Sequence, residues 1–422
     1  MMDLYREFEW REMLYDGTEG VQDALSAGPL TGYIGFDPTA SSLHVGSLLP
    51  VMALARLQRA GHSPIALVGG GTGLIGDPSG KTQERVLLTT EEVDANITGI
   101  RAQLEPFLDF NAPRNPARIV NNADWLRPID VLSFLRDVGK HFTVNYMIAK
   151  DSVKRRLESE DGISFTEFSY MLLMAYDFVV LHDRFGCTLQ MGGSDQWGNI
   201  TAGLDLIRKL RGRRAFGLVS PLVATSAGVK FGKTEAGTIW LDPARTSPFH
   251  FYQFWLNTDD RDVVRYLKFF TFLSQESIDA LARATTEKPE AREAQRALAR
   301  EVTTSVHGAE RLARAERAAS VLFADNLTAA DVEDVLMVLS DAPSTELALP
   351  DRGIALVELL ATVKLAASRS EATRLIKSGG VYVNNVRASD EKALLTATDA
   401  IAGQVIVLRK GRRDQHVVRL RR

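Results

Sequence analysis

The feature that most constrains the fold is an alternation of short apolar strands with helical segments in the first half of the chain. Thr31–Phe36 and Ile65–Val68 are apolar runs of strand length, and each ends in a polar or glycine-rich turn. Ile119 begins a third run, and Leu189–Met191 forms a fourth. The longest helical segment between them is Phe165–Phe185. This alternation is typical of a parallel sheet with helices on its faces, so we expect an α/β domain.

The ends of the helices carry their own signals. Ser42 is a candidate cap for a helix that ends near Ala60, and Asp195 is a candidate first residue for another. Proline at an early helical position suggests a helix over Pro128–Val138. In the long helix, Tyr170, Met174 and Asp177 recur at i, i+4 and i+7. These three side chains therefore share one helix face and predict a single lined pocket.

The second half of the chain changes character. It is helical in pattern from Pro248 onwards, and Ser340–Arg352 contains two prolines and reads as a linker. The last part contains a hairpin signal at Asn384-Asn385. We therefore expect a Rossmann-like domain over 1–222, a loop and connector over 223–247, a helical domain over 248–339, a linker over 340–352 and a small α+β domain over 353–422.

Charge is unevenly distributed along the 422 residues. Residues 353–422 contain 13 Lys+Arg against 6 Asp+Glu, a net charge of +7. The whole chain carries −3, so the remainder carries −10. A basic tail on an acidic body suggests a polyanionic partner for the tail.

Cysteine and hydropathy narrow the cellular setting. Cys187 is the only cysteine, which excludes an intramolecular disulfide and a zinc site of several cysteines. We expect Cys187 to be a buried structural thiol. We see no signal peptide at Met1–Glu12 and no stretch of about 18 uncharged apolar residues. These observations predict a cytoplasmic protein.

Two short motifs contain residues that suit phosphate, although each alone is equally typical of a capping turn or of a surface loop with two lysines. The first motif, Phe36–Ser47, runs from a strand through a polar turn to a helix N-terminus and includes His44 and Gly46. Such a terminus offers unpaired N–H groups and a positive dipole end to phosphate. The second motif, Val229–Thr234, places Lys230 and Lys233 around a glycine. Two cations on a short loop suit the charge that develops on a leaving pyrophosphate.

Together the motifs resemble the HIGH and KMSKS signatures of class I aminoacyl-tRNA synthetases, in their order and separation. Further stretches resemble the bacterial tyrosyl-tRNA synthetases, and the C-terminal part is similar to the S4 RNA-binding module. These stretches are Tyr33–Asp37, Gly73–Gly80, Ile163–Tyr170 and Gly192–Gly203.

The resemblance implies a role for each matching residue. Tyr33 and Asp177 correspond to the pair that hydrogen-bonds a substrate phenol. Asp77 and Tyr170 correspond to residues that hold the substrate ammonium. The implied tyrosine-binding set is Tyr33, Asp77, Tyr170, Met174, Asp177, Gln190 and Gln196, with Asn122 as a further lining residue. The implied ATP-binding set is Gly35, Asp37, His44, Gly46, Ser47, Lys81, Arg85, Gly193, Asp195 and Lys233. The implied catalytic set is Thr39, His44, Lys230, Lys233 and Thr234.

Three positions depart from the family pattern. Ser47 stands where the second histidine of HIGH is usual, which changes reach and charge near the nucleotide. Met174 replaces the usual glutamine, and a thioether is a poor partner for an ammonium. Ile34 replaces a small residue near the ribose, which we expect to matter little.

The resemblance implies activation of tyrosine by ATP and transfer of the tyrosyl group to tRNA(Tyr). Magnesium is expected to arrive with ATP, since the sequence shows no dedicated metal site. The resemblance also implies a homodimer, and the lack of a long apolar segment predicts no membrane partner. Two alternatives remain at this stage. One is a related enzyme with another substrate, such as a tryptophanyl-tRNA synthetase or a nucleotidyltransferase. The other is a non-catalytic RNA-binding paralogue, which only Ser47 and Met174 favour.

Overall fold

The computed structural model describes residues 3–79, 88–158, 162–228, 231–234, 237–321, 325–339, 342–350, 352–411 and 414–421. The chain forms two compact units. The first unit comprises Met1–Thr246 and Phe254–Val306, and the second comprises Ser247–Gln253 and His307–Arg422.

The first unit is built on a six-stranded sheet. Its strands are β1 (Asp16–Gly17), β2 (Thr31–Phe36), β3 (Ser63–Val68), β4 (Arg118–Asn121), β5 (Cys187–Gly193) and β6 (Phe216–Ser220). Their order is β1-β6-β5-β2-β3-β4, with β2 to β6 parallel and β1 antiparallel to β6. The chain moves to one side of β2 through β3 and β4, and then to the other side through β5 and β6. The carboxyl ends of β2 and β5 therefore flank the crevice where such sheets bind ligands.

The predicted α/β fold is thus confirmed, and many helices accompany the sheet. The α-helices are, in chain order, Leu4–Trp10, Val21–Ala27, Leu48–Arg59, Thr90–Leu104, Ala123–Leu126, Val131–Asp137, Val144–Ile148, Asp151–Leu157, Phe165–Phe185, Trp197–Arg211, Pro248–Leu256, Asp260–Phe270, Gln275–Glu287, Glu293–His307, Ala309–Val321, Val332–Val338, Leu356–Thr362 and Arg369–Lys377.

The long helix Phe165–Phe185 begins and ends as its sequence dictates. The Ser164 hydroxyl accepts a hydrogen bond from the Glu167 N–H and caps the first turn. Gly186 ends the helix in the left-handed conformation at φ 61°. The buried face of this helix packs over Cys187 on β5, which is buried as predicted. Asp177 is thereby carried into the interior beside the sheet.

Three helix starts differ from the sequence prediction. Asp195 lies in a 3-10 turn, Ser194–Gln196, and the α-helix expected from it begins at Trp197. The helix after the first motif begins at Leu48, because Val45–Ser47 forms a short 3-10 turn. The Ser42 hydroxyl donates instead to Leu43 O at 2.7 Å and accepts from Asp242 N at 3.1 Å. The helix expected from Pro128 begins at Val131, because the Asp130 carboxylate accepts from Ser133 N and fixes the N-terminus there.

The second unit contains a small α+β core. Its five-stranded sheet has the order Val386–Arg387, Val381–Val383, Val405–Lys410, Asp414–Leu420 and Ser344–Leu347. A further pair of strands is formed by Ile354–Ala355 and Leu394–Leu395. Two more short strands, Lys233–Thr234 and Gly237–Thr238, form a hairpin in the first unit.

The hairpin at Asn384-Asn385 is confirmed. Both residues have positive φ, 49° and 65°, as a tight hairpin turn requires. The segment predicted as a linker is corrected in part, because Ser344–Leu347 pairs in parallel with Asp414–Leu420. Exposed and partly buried residues alternate along this strand, so its sequence contains no apolar run from which the strand could have been predicted. The remaining domain boundaries stay a prediction.

Within the described residues, no helix is both long and apolar enough to cross a lipid bilayer.

Candidate active site

The crevice between β2 and β5 contains buried polar groups that have no partner within the described residues. Tyr33 on β2 lies opposite Gln190 on β5 in the register. Both side chains are buried, and neither Tyr33 Oη nor the two amide atoms of Gln190 make a hydrogen bond. Leaving a buried polar group unpaired costs about 1–3 kcal/mol. A polar ligand in the crevice is therefore the natural partner for these atoms.

Asp177 provides the charge of this crevice. Its side chain is only 1% exposed. Burial raises the pKa of the Asp177 carboxyl to about 7, against the opposing effect of hydrogen bonds from Asn122 and Trp125. The nearby Asp37 carboxylate raises this pKa further. Burial, and then the Asp177 charge, raise the pKa of Tyr33 well above its ordinary value. The phenol of Tyr33 therefore remains a neutral donor.

Asn122 and Trp125 hold the Asp177 carboxylate in place. Asn122 Nδ2 donates to Asp177 Oδ2 at 2.9 Å, and Trp125 Nε1 donates to Asp177 Oδ1 at 2.7 Å. Asn122 is itself fixed, because its Oδ1 accepts from Gly71 N at 2.7 Å and its Nδ2 also donates to Thr72 Oγ1. Tyr33, Asn122, Trp125, Asp177 and Gln190 are called the Asp177 pocket below. Each oxygen of the carboxylate accepts from one of these donors and retains lone-pair capacity for a further one.

A second buried carboxylate, that of Asp77, is held by two donors. Gln196 Nε2 donates to Asp77 Oδ2 at 2.8 Å, and Ser79 N donates to Asp77 Oδ1 at 2.9 Å. Asn199 Nδ2 donates to Gln196 Oε1 at 3.0 Å and orients its amide. The structure thus brings together Asp77 and Gln196, which are 119 positions apart in sequence and were both predicted to contact an amino acid.

Tyr170 connects the long helix to the end of β2. Its hydroxyl donates to Asp37 at 3.3 Å from Oδ1 and 3.4 Å from Oδ2. Tyr170 is buried, whereas Met174, one turn further along the same helix face, is partly exposed. Sequence reasoning assigned Asp37 to the nucleotide and Tyr170 to the amino acid. Because Tyr170 contacts Asp37, the residues predicted to bind the amino acid adjoin those predicted to bind the nucleotide at this point.

The first motif forms a compact turn in front of a helix. His44 Nδ1 accepts from Gly46 N at 3.0 Å, and Ser47 N donates to His44 O at 2.8 Å. The residues His44–Ser47 are called the His44 turn below. A Cβ atom on Gly46 would lie 2.7 Å from His44 Cε1, so a side chain at this position would displace the His44 ring. The turn leads directly into Leu48–Arg59, which gives the predicted helix N-terminus.

Other predicted nucleotide contacts lie at exposed positions around the crevice. Thr39 and Asp195 are exposed, and Gly35 has open space where a Cβ would lie. A Cβ on Gly193 would lie 2.6 Å from Asp195 Oδ1, so the backbone there passes close to that carboxylate. A cavity of about 530 Å³ opens beside Asp195. Its lining includes Ser79, Lys150, Asp195, Trp197 and Asn199.

The second motif lies against the His44 turn, although almost two hundred residues separate them. Val45 N donates to Ile239 O at 3.0 Å, and Leu241 N donates to Leu43 O at 2.9 Å. A Cβ on Gly232 would lie 2.5 Å from Val45 Cγ2. Gly232 also has φ +79°, which favours glycine independently. The segment that follows the second motif is therefore hydrogen-bonded to the first motif, and Ile239 N donates in turn to Gly232 O at 3.1 Å. Gly232 itself packs against Val45.

Some predicted residues fall outside this description. Lys81, Arg85 and Lys230 lie outside the described residues, as do the side chains of Lys233 and Thr234. Sequence reasoning also missed Trp125, Thr72 and Asn199. Trp125 stands three positions after Asn122, on the same short helix segment. That spacing was a usable signal once Asn122 had been chosen as a lining residue.

Comparisons with known proteins agree with this geometry. The family model described as tRNA synthetases class I (W and Y) matches residues 25–324. A second model, described as the tyrosine–tRNA ligase SYY-like C-terminal domain, matches residues 334–418.

Individual relatives cover the whole chain. The tyrosine–tRNA ligase of Roseiflexus castenholzii is 56% identical over 423 residues and covers 100% of both chains. That of Geobacillus stearothermophilus is 54% identical, covering 99% of this chain and 100% of its own. The solved mitochondrial tyrosyl-tRNA synthetase of Aspergillus nidulans is 31% identical with a TM-score of 0.67, covering 76% of this chain and 95% of its own. The chain therefore belongs to the class I tRNA synthetases and, within them, to the tyrosine–tRNA ligases.

Proposed function

We propose that this tyrosine–tRNA ligase binds the phenol of its amino acid in the Asp177 pocket. The observation that carries the proposal is the pairing of a held carboxylate at Asp177 with the unpartnered donor Tyr33 Oη. A phenol hydroxyl donates one hydrogen bond and accepts another, so Asp177 and Tyr33 satisfy it together. Phenylalanine would leave Tyr33 Oη without a partner and Asp177 without a third hydrogen bond, and discrimination of this kind is already known for tyrosyl-tRNA synthetases. Gln190 supplies an additional polar neighbour.

The ammonium of the amino acid is assigned to the second carboxylate. Asp77 carries the charge, Gln196 orients it through the 2.8 Å hydrogen bond, and Tyr170 contributes its hydroxyl. Met174 stands on the same helix face and offers only a weak acceptor. The ammonium therefore relies on Asp77 and Tyr170.

ATP is assigned to the open side of the crevice. The His44 turn and the helix N-terminus behind it suit the phosphates, while the exposed Asp195 suits the ribose. The amino-acid carboxylate is ionised near neutral pH and attacks the α-phosphorus in line, and pyrophosphate leaves. Magnesium enters bound to ATP. The nucleotide set comprises Gly35, Asp37, Thr39, His44, Gly46, Ser47, Lys81, Arg85, Gly193, Asp195, Lys230, Lys233 and Thr234.

The tRNA is assigned partly to the second unit. Its basic tail suits phosphate, and the Arg409 guanidinium lies 4.0 Å from the centre of the Tyr382 ring. A cation stacked on an aromatic ring offers both charge and a flat surface to RNA. Because tRNA charging takes place where translation does, we assign the protein to the cytoplasm.

A homodimer is supported by apolar side chains that this chain leaves uncovered. The short helix Val131–Asp137 has no buried residue, and its Val131 and Leu132 are 67% and 75% exposed. Val144 and Phe165 are 63% and 75% exposed. We infer that these exposed apolar side chains belong to an interaction surface, and a second copy of the chain is the occupant we propose.

The experiment that tests the function is tyrosine-dependent exchange of pyrophosphate into ATP, followed by charging of tRNA(Tyr). We expect exchange with tyrosine and little with phenylalanine or tryptophan. Exchange that requires tryptophan, or charging without tyrosine-dependent exchange, would contradict the proposal. Sedimentation of the purified protein checks the dimer, and Leu132→Asp is expected to shift it to monomer.

A further inference from the structure

A buried cation, Arg56, lies apart from the Asp177 pocket. It is 1% exposed and belongs to the helix Leu48–Arg59, which follows the His44 turn. Besides Met52 O of its own helix at 3.4 Å, its guanidinium donates to three carbonyls of another segment, Lys268 O at 3.2 Å, Phe269 O at 3.1 Å and Thr271 O at 2.6 Å. These carbonyls lie at the C-terminal end of the helix Asp260–Phe270, where the negative end of the dipole favours a cation.

A second arginine reinforces the same helix end. Arg11 Nη1 donates to Lys268 O at 3.0 Å and to Thr271 O at 3.2 Å, and Arg11 Nε pairs with Glu7 Oε1 at 2.5 Å. Burying charge costs several kcal/mol per ion, and apolar packing often replaces it without loss of stability. Two buried guanidinium groups on one helix end therefore indicate a need for fixed geometry at that end.

Side chains of the helix Asp260–Phe270 also pack against the second motif. Phe231 is buried, and its ring stacks on Phe270 with centroids 5.4 Å apart and planes at 10°. Tyr266 packs against Phe231 with centroids 4.9 Å apart. Earlier in the loop, Ser226 N and Oγ donate to the Asp262 carboxylate at 3.0 and 3.1 Å. The chain therefore contacts the helix Asp260–Phe270 at two points, at Ser226 before the second motif and at Phe231 within it.

These contacts form a closed path through the two motifs and the two helices. Gly232, next to Phe231, lies against Val45 in the His44 turn. The helix Leu48–Arg59 follows that turn and contains Arg56. The Arg56 guanidinium binds the C-terminal end of the helix Asp260–Phe270, against which Phe231 packs. The two motifs are therefore connected by two independent routes, one through the backbone of Ile239, which bonds to both Val45 and Gly232, and one through Arg56.

We propose that Arg56 is a positioning residue for amino-acid activation, because it holds the helix Asp260–Phe270 and thereby sets where the loop Phe231–Thr234 lies against the His44 turn. The inference rests on the proposed role of that loop in binding the phosphates. A displacement of about 1 Å in a reacting arrangement can lower the rate by about a hundredfold. A small shift of the helix end is therefore enough to slow the chemistry without disturbing the Asp177 pocket.

The test compares Arg56→Met with Arg59→Met. Arg59 is an exposed arginine on the same helix, and its guanidinium lies 3.4 Å from the centre of the Phe272 ring. The measurements are the single-turnover rate of tyrosyl-adenylate formation at saturating substrates and the dissociation constant of tyrosine. In Arg56→Met we expect the rate to fall at least about tenfold, with tyrosine affinity within about twofold of wild type. In Arg59→Met both quantities stay within about twofold.

Coupling to the loop gives a sharper criterion. Phe231→Leu is expected to slow adenylate formation in the same way, and the double variant with Arg56→Met to lose no more than the slower single variant. Arg56→Lys keeps the buried charge but cannot reach three carbonyls, so it is expected to give a smaller loss and covers a failure of Arg56→Met to fold. Rates within about twofold of wild type in the Arg56 variants that fold, or additive losses with Phe231→Leu, overturn the inference.

Lys233→Ala separates this inference from the proposed function. If Lys233→Ala slows adenylate formation and the Arg56 variants do not, only the positioning role is overturned. If Lys233→Ala forms adenylate at the wild-type rate, the role of the loop is wrong and the inference falls with it.

Discussion

Trp125 Nε1 donates a 2.7 Å hydrogen bond to Asp177 Oδ1 inside the first unit. Both side chains are buried, so this bond is shielded from water. Asn122 donates to the other oxygen of the same carboxylate. The orientation of Asp177 is thereby set by two residues that we do not expect to touch the reacting atoms.

Replacing the indole donor is expected to weaken tyrosine binding. Trp125→Phe removes a hydrogen bond to a charged group, worth about 1.5–3 kcal/mol. The loss favours the protonated carboxyl and moves the pKa of Asp177 above about 7. We expect KM for tyrosine to rise about tenfold or more near neutral pH and to recover partly at higher pH. The pH profile of KM measures this, and a profile that coincides with wild type would contradict it.

The raised pKa of Asp177 also predicts a pH dependence of stability. The carboxyl has a pKa of about 7 in the folded chain and an ordinary value of 3.8 when unfolded. Between these values the folded state binds more protons, so the free energy of unfolding falls as pH rises through this window. Full ionisation costs roughly 4 kcal/mol at about 1.4 kcal/mol per pKa unit.

Asp177→Asn removes this ionisation. Urea unfolding at pH 5 and pH 8 should therefore show a smaller difference in stability for Asp177→Asn than for wild type. The matched control is Asp279→Asn, which changes an exposed carboxylate on the helix Gln275–Glu287 and is expected to keep the wild-type pH dependence. Equal pH dependence in wild type and Asp177→Asn would mean that the carboxylate is not held in a desolvated pocket.

Met174 gives a prediction that is particular to this chain. Restoring glutamine with Met174→Gln adds an oxygen acceptor on the face that carries Tyr170 and Asp177. A hydrogen bond to a charged group is worth about 1.5–3 kcal/mol, so KM for tyrosine is expected to fall about tenfold. Met174→Leu, which only conserves shape, is the control. Equal KM values in the two variants would place position 174 away from the ammonium.

Truncation tests the division of labour between the units, and the structure changes where to cut. Deleting residues 353–422 alone would leave Ser344–Leu347 without its partner strand. A chain that ends at Leu339 is therefore expected to form tyrosyl-adenylate at close to the wild-type rate and to charge tRNA at least about a hundredfold more slowly. Charging at the full rate by this shortened chain would contradict the tRNA assignment.

Much of the fold follows from local pattern, because parallel strands and long helices have strong apolar periodicity. The strand Thr31–Phe36 and the helix Phe165–Phe185 were predicted with their observed bounds. The start at Leu48 was not predictable, since a 3-10 turn and a hydrogen bond from the distant Asp242 N divert Ser42. The strand Ser344–Leu347 was missed because its partner lies about seventy residues away.

For the site, the resemblance to the tyrosyl-tRNA synthetases identified residues that sequence spacing and periodicity alone could not. Asp77 and Gln196 meet only through the tertiary fold, and no spacing rule relates positions 119 apart. The stripe of Tyr170, Met174 and Asp177 was visible from helical periodicity. Trp125 and Arg56, which position other residues of the site, are buried side chains whose N–H groups donate hydrogen bonds. In sequence they look like ordinary core or surface positions.

The most direct test of the central claim is the amino-acid dependence of pyrophosphate exchange in wild type and Tyr33→Phe. If the Asp177 pocket binds the phenol, Tyr33→Phe lowers kcat/KM for tyrosine about tenfold, leaves KM for ATP unchanged and narrows the preference for tyrosine over phenylalanine. An unchanged preference in a folded Tyr33→Phe variant would place the phenol elsewhere and contradict the account.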